Sequence, residues 1–219
     1  MNRVVLQRHH GRAAAPSSRR AEAKARTRSK ILQAARSLFM DRGYDAATIR
    51  DIAARAELST GAVFASFSDK ADLFNAVLQQ DMERQAEPIR LAASADLPLE
   101  AALMGLFRLA YGFHLEQLPL LQAATGLSWS QGLTGPLGNR PAYSLALAAV
   151  GEILSRGKDR GELAPEADGA LVAEMLWDAY LSNYRRALFE DWGLDQLSER
   201  VARQIRVVIA GAAASAAPP

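Results

Sequence analysis

The chain has 219 residues and a formal charge of only +2, with 49% of its residues apolar and 23% charged. That length gives room for one or two domains and an ample buried core. Cysteine is absent, which excludes disulfides and thiolate metal sites, and no apolar run approaches the ~18 residues of a membrane span.

Residues 1–22, rich in Arg, Ala, Ser and Pro without a period, read as a disordered basic arm. Their one apolar patch, Val4-Val5-Leu6, is too short for a signal-peptide core, so a cytoplasmic protein is expected. A first helix is predicted from Ala23 to Arg42, with Ile31, Ala35, Leu38 and Phe39 as its inner stripe and Gly43 as its C-terminal cap. Thr48 and Asp51 have the spacing of a capping box opening a second helix, on which Ile49, Ile52 and Ala53 share a face. Ala56-Glu57-Leu58 is the turn. Ser59 caps a third helix, which carries Ala62, Val63 and Phe67. Two short helices joined this way form a helix-turn-helix, whose second helix can enter the DNA major groove. Charge supports the assignment: residues 1–75 hold 14 Lys+Arg against 7 Asp+Glu, whereas residues 76–219 hold 12 against 17.

Ser68 or Asp69 caps a long fourth helix bearing Leu73, Phe74, Val77, Leu78 and Met82, which Pro88 should end or kink. Pro98 opens a helix to about Glu116, and Pro119 a shorter one to about Ser130. The stretch 131–141 is a glycine- and proline-rich break. Helices follow at about Ala142–Lys158, Glu166–Glu190 and Asp195–Ala210. Period-two alternation is nowhere sustained, so the fold class is all-α. The expected organisation is an arm at 1–22, a DNA-binding domain at 23–68, a helical body at 69–213 and a disordered tail at 214–219. The last helix carries Leu194, Leu197, Val201, Ile205 and Val208 at near-heptad spacing. The helix before it is apolar on more than one side, with Ala173, Trp177, Tyr180 and Tyr184 on one face and Leu171, Met175 and Leu181 on others; the two helices either bury into their own subunit or pair with a second copy in a four-helix bundle. DNA reading in two-fold pairs favours the second, a homodimer interface.

The segment RTRSKILQAARSLFMDRGYDAATIRDIAARAELSTGAVFASFSDKADLF resembles the N-terminal domain of the TetR family of transcriptional regulators. The matches include Ile31, Ala34-Ala35, Gly43-Tyr44, Thr48, Ile52-Ala53, Phe64, Phe67, Lys70 and Leu73. The family often has Gly where Glu57 stands, and Tyr and His at the positions of Phe64 and Ser66; Phe64 lacks the hydroxyl that commonly contacts a phosphate. The resemblance implies that Thr48 caps helix two beside a phosphate, and that Ser59, Thr60 and Gly61 lie closest to base edges. It further implies that Ser66 and Lys70 grip the DNA backbone, with Phe64 at the same surface. Arg50 is either a phosphate contact or a solvated charge.

In such regulators the C-terminal helices usually hold a ligand pocket. Met104, Phe107, Tyr111 and His114 follow one helical face, and Trp129, Trp177, Tyr180 and Tyr184 are candidates to join them. The same residues also read as ordinary core, and His114 as a hydrogen-bonded histidine. Glu174 and Asp178 fit a solvated face better than a cationic ligand. An enzyme is not expected: no nucleophile–base or zinc motif is present. The function implied is a ligand-responsive regulator, read as a repressor, that binds a palindromic operator as a dimer and is released by a small, largely apolar effector, with no metal or cofactor. The alternative is a helical DNA-binding or interaction protein without a small-molecule ligand.

Overall fold

The computed structural model describes residues 16–131 and 141–213. The segment before residue 16, the break at 132–140, the tail from residue 214 and the side chain of Trp129 lie outside the described residues. Every regular element among them is helical: α1 (Pro16–Ala46), α2 (Ile49–Arg55), α3 (Thr60–Phe64), α4 (Lys70–Ser94), α5 (Leu99–Leu115), α6 (Leu118–Gln131), α7 (Pro141–Asp159), α8 (Gly169–Phe189) and α9 (Leu194–Ala212).

Two elements depart from the expected boundaries. Helix α1 starts at Pro16, not Ala23, so the presumed arm is helical from residue 16 onward. Proline suits a first helical position, and the RRAEAKAR run behind it consists of strong helix formers. At its other end α1 breaks at Gly43, whose φ of 78° few other residues tolerate. Helix α4 does not stop at Pro88 but runs on to Ser94. Ile89 and Ala93 beyond the proline are buried, and Arg156 of α7 donates to the carbonyls of Ala93 and Ala95, closing the helix end. Those contacts offset the lost backbone bond.

The helices enclose two cores. One, the head, gathers Ile31, Ala35, Leu38 and Phe39 of α1, Ile52 and Ala53 of α2, Val63 of α3, and Leu73, Phe74 and Val77 of α4. The other, the body, gathers residues of α4, α5 and α7 to α9 around Phe107, Tyr111, Leu176 and Tyr180. Helices α4 and α6 belong to both. Leu120 and Ala124 of α6 are buried in the head, while Leu118 and Leu121 pack against the body. The head core therefore reaches well past residue 68.

At this junction Asp81, a buried carboxylate on α4, is held by Arg36 of α1 and by Arg84 at 2.5 Å. Arg36 also donates to Gln117 Oε1, at 3.2 Å from Nη2, just before α6. Burial pushes the Asp81 carboxyl above its ordinary range, and the two guanidiniums oppose that shift. One ion cluster thus ties α1, α4 and the start of α6 together.

Candidate DNA-reading surface and effector core

The head's local chemistry follows from its caps. Thr48 Oγ1 accepts from the Asp51 amide at 3.1 Å, and the Asp51 carboxylate accepts from the Thr48 amide at 3.3 Å and from its hydroxyl at 2.7 Å. Those bonds from Thr48, helped by Arg42 and Arg50, hold the Asp51 carboxyl below its ordinary range. Ser59 Oγ accepts from the Ala62 amide at 3.2 Å and opens α3. Between the two helices the chain makes a Schellman turn: the Leu58 amide donates to Ala53 O at 2.9 Å and the Glu57 amide to Ala54 O at 3.1 Å. Glu57 takes the left-handed position, with φ 57°. The backbone keeps the shape that glycine adopts freely, without a glycine.

Thr48, Arg50, Ser59, Thr60 and Gly61 are all exposed, and Phe64 at the end of α3 is 55% exposed. They present short polar groups, a guanidinium and one ring on the α2–α3 side of the head. Ser66 is half-buried, its hydroxyl donating to Ala62 O at 3.4 Å.

Lys70 is the exception to the expected set. Its ammonium donates to the carbonyls of Tyr44, Asp45 and Ala47 at 3.0, 3.3 and 3.2 Å and lies 4.3 Å from the Tyr44 ring centroid. All three donors are thereby occupied, and the side chain stitches the start of α4 to the turn after α1. The structure makes it an internal clasp, not a free phosphate grip. Arg55 is engaged in the same way, with Ser37 and Asp41 each at 2.6 Å. Two basic residues outside the expected set of DNA contacts matter here. Arg42 is exposed and near enough to Arg50 that both act on Asp51. Arg28 donates to Ser66 O at 3.0 Å and stacks 4.2 Å from the Phe67 ring centroid, fixing α1 to the end of α3.

In the body, Phe107, Tyr111, His114, Trp177, Tyr180 and Tyr184 do come together, as one aromatic layer between α5 and α8. Tyr180 lies 4.7 Å from Tyr111, 5.3 Å from Phe107 and 5.2 Å from Trp177, centroid to centroid. Met104, at 36% exposure, is left outside the layer. Its polar atoms satisfy one another. Tyr184 donates to the Tyr180 hydroxyl at 2.6 Å, and the Tyr180 oxygen lies 2.5 Å from His114 Nδ1. The same nitrogen lies 2.9 Å from the Tyr184 hydroxyl, so it faces both phenols. Burial lowers the His114 pKa to about 4, so the ring is neutral at pH 7. It also pushes the phenols of Tyr111, Tyr180 and Tyr184 up. Asn183, which sequence reasoning missed, donates to Tyr111 Oη at 3.0 Å and to Gln204 Oε1 at 2.7 Å. Its signal was a lone amide one turn from Tyr180.

A cleft of about 510 Å³ lies elsewhere, between α7 and α8, bordered by Leu147, Gly151, Leu154, Ala173 and Glu174 among others. None of the expected pocket residues lines it. Glu174 and Asp178 are exposed. The α9 stripe also needs correction as a dimer interface. Leu197, Val201 and Ile205 are at most 1% exposed within the subunit, with Leu194 and Val208 packed beside them. Their near-heptad spacing faces α5 and α8 of the same chain. On these last two helices the large apolar side chains left exposed are Leu171, Met175 and Phe189 of α8 and Val207 of α9.

Residues 31–77 match the sequence profile described as "Bacterial regulatory proteins, tetR family". The repressor AcnR of Corynebacterium diphtheriae is 42% identical over 62 residues, which cover 28% of this chain and 33% of that protein. The A-factor receptor protein of Streptomyces griseus is 29% identical over 146 residues, 67% of this chain and 49% of that one. The matches thus span from a third to a half of these curated relatives. Thermus thermophilus FadR, a repressor solved in complex with lauroyl-CoA, superposes with a TM-score of 0.67 at 23% identity, covering 88% of this chain and 98% of its own. That likeness is one of fold. The head, in which the capped helices α2 and α3 form a helix-turn-helix, is joined by α4 to an all-helical body. Residues 31–77 are thus similar to the N-terminal domain of the TetR family of bacterial regulatory proteins, and the chain as a whole shares the fold of solved members.

Proposed function

We propose that the protein is a cytoplasmic repressor that binds a palindromic operator as a homodimer and releases it when a small, neutral, largely apolar molecule enters the body. The observation that carries the reading is the exposed Ser59-Thr60-Gly61 end of α3, set in a head tied to the body through α4 and the Arg36–Asp81–Gln117 cluster. Two such heads must sit about 34–36 Å apart to meet successive major grooves. A ligand that prefers a wider spacing lowers DNA affinity by its preference between the two states. Leu171, Met175, Phe189 and Val207 form the face we assign to the second copy, because they are the large apolar side chains α8 and α9 leave in solvent.

The test is selection of duplexes from a random-sequence library by the full chain. An inverted repeat is expected, with Thr60 substitutions changing its sequence. Recovery of no preferred duplex would falsify the operator reading. Effector binding is read from Trp177, 5.2 Å from Tyr180, by fluorescence during a screen of small apolar compounds, together with DNA release. A second reading, a DNA-binding protein with no effector, is favoured by the ring-to-ring packing of the aromatic layer. Compounds that shift Trp177 emission and release DNA decide against it.

A further inference from the structure

Helix α1 runs from Pro16, yet the first buried residue among its described side chains is Ile31. From Arg19 to Lys30 every described side chain is exposed except the half-buried Thr27. At 1.5 Å per residue, residues 19–26 make about 12 Å of helix reaching past the point where Arg28 meets the head. The exposed stretch 19–30 carries Arg19, Arg20, Lys24, Arg26, Arg28 and Lys30 against a single acid, Glu22, and none of those cations forms an ion pair among the described residues. Its first turn holds no acid, so the cations crowd the end of the helix where the dipole already favours anions. A solvated helix of this length gains little from propensity alone. It calls for an anionic partner.

The direction of the basic side chains narrows the choice. Arg20, Lys24 and Arg28 lie four residues apart, on one face of α1. Arg28 is the residue that bonds Ser66 O and stacks on Phe67, at the end of the recognition helix. The face that meets α3 therefore continues outward through Lys24 and Arg20, about 6 and 12 Å beyond Arg28 along the axis. At about 100° per residue, Arg26 and Lys30 lie roughly 160° and 120° around the helix from Lys24, off the stripe.

We propose that the Arg20–Lys24 stripe of α1 is a second DNA-binding surface, which grips the phosphate backbone of the duplex flanking each half-site. This rests on the DNA-binding function proposed above but adds a rigid, helical contact outside the helix-turn-helix. It recognises phosphate charge, so it adds affinity without sequence preference.

The test compares wild type, Arg20→Ala/Lys24→Ala and the off-stripe control Arg26→Ala/Lys30→Ala, all as full chains. Each is titrated with a library-selected duplex, the same duplex trimmed of its flanks, and a scrambled duplex of full length, across 50–200 mM salt. All these residues are exposed, so unchanged thermal melting is expected for both variants. The stripe variant should lose about tenfold in affinity at 50 mM salt, with the salt slope reduced by about two, on selected and scrambled full-length duplexes alike. Trimming the flanks should weaken wild type and leave the stripe variant nearly unaffected. An unchanged salt slope overturns the proposal. So does an equal loss in the control variant, which would mean bulk charge and not a docking face. If selection yields no preferred sequence, the operator reading fails, but the stripe is still judged on the scrambled duplex.

Discussion

The head and the body solve the same packing problem with different chemistry. The head core is purely apolar, built from Ile31, Leu38, Phe39, Ile52, Val63, Leu73 and Phe74, and its polar side chains work at the rim. There Lys70, Arg55 and Arg28 each stitch one helix to a neighbour through hydrogen bonds. The body instead buries a polar layer, in which three phenols, a neutral histidine and an amide satisfy one another between α5 and α8. An apolar core with clasped edges is rigid and presents a fixed surface. A buried hydrogen-bonded layer rearranges only if every partner is replaced, and a ligand with its own polar group can supply such a replacement. The difference fits the division of labour proposed above, a reading surface joined to a sensing interior.

The comparison breaks most sharply on α9. Val201 is 1% exposed and faces the body core, so Val201→Asp buries an unpaired carboxylate. It should cost about 4 kcal/mol and unfold the body first, seen as a large drop in melting temperature. Met175→Asp on the outer face of α8 should leave melting within about 0.5 kcal/mol of wild type and yield monomers by sedimentation. Folded monomers from Val201→Asp would restore the α9 stripe as the interface.

The contrast between these two positions also shows what sequence could and could not reveal. The head was legible because its signals are local: the Thr48–Asp51 box, the Ser59 cap and the Gly43 break each act within four residues. The body was legible as helices and as an aromatic set, since Phe107, Tyr111, His114, Tyr180 and Tyr184 fall at helical spacing. Period alone shows that α9 has an apolar side but not whose core it meets. Nor does it show whether aromatic rings surround a space or fill it. Lys70 misled for a related reason. A lysine at a helix start suggests an external anion, but the carbonyls that occupy it belong to residues 44–47, distant in sequence and close only after folding. The Arg36–Asp81–Gln117 cluster was hidden in the same way, although Asp81 stands one turn from Val77 on the buried side of α4.

The buried layer of the body should make stability depend on pH through His114. Its folded pKa is about 4, below the ordinary 6.5 of the unfolded chain. Between those values the unfolded state binds more protons, so stability is full above pH 6.5 and falls as pH drops toward 4, by up to about 3 kcal/mol. Asp81, whose carboxyl is raised by burial, acts in the opposite sense near the carboxylate range. The measurement is therefore the difference between wild type and His114→Gln in urea melts at pH 7 and pH 5. His114→Gln should flatten the slope. Parallel pH profiles would place the histidine outside the buried layer.

At the head's rim, Lys70→Ala should cost about 2 kcal/mol, because it strips a charged donor from three carbonyls. DNA binding should weaken equally on all sequences while the salt slope stays at the wild-type value. A slope lower by about one would return Lys70 to the phosphate interface.

The smallest expected effect concerns the turn that joins the two reading helices. Glu57 holds the left-handed position of a Schellman turn with φ 57°, where a Cβ costs roughly 1 kcal/mol and where helices most often end in glycine. Its carboxylate also sits at the C-terminal end of α2, against the helix dipole. Glu57→Gly removes both penalties but loosens the unfolded chain, for a net gain of about 0.5–1 kcal/mol. Glu57→Ala removes only the charge and keeps the strain, so it should fall between wild type and Glu57→Gly in melting temperature. Both should bind duplex DNA slightly more tightly at low salt, because each removes an exposed carboxylate next to α3. If Glu57→Ala is as stable as Glu57→Gly, the strain that glycine relieves is no larger than the unfolded-state freedom it adds. If neither variant changes DNA affinity, the turn lies farther from the phosphates than the exposed Ser59-Thr60-Gly61 end of α3.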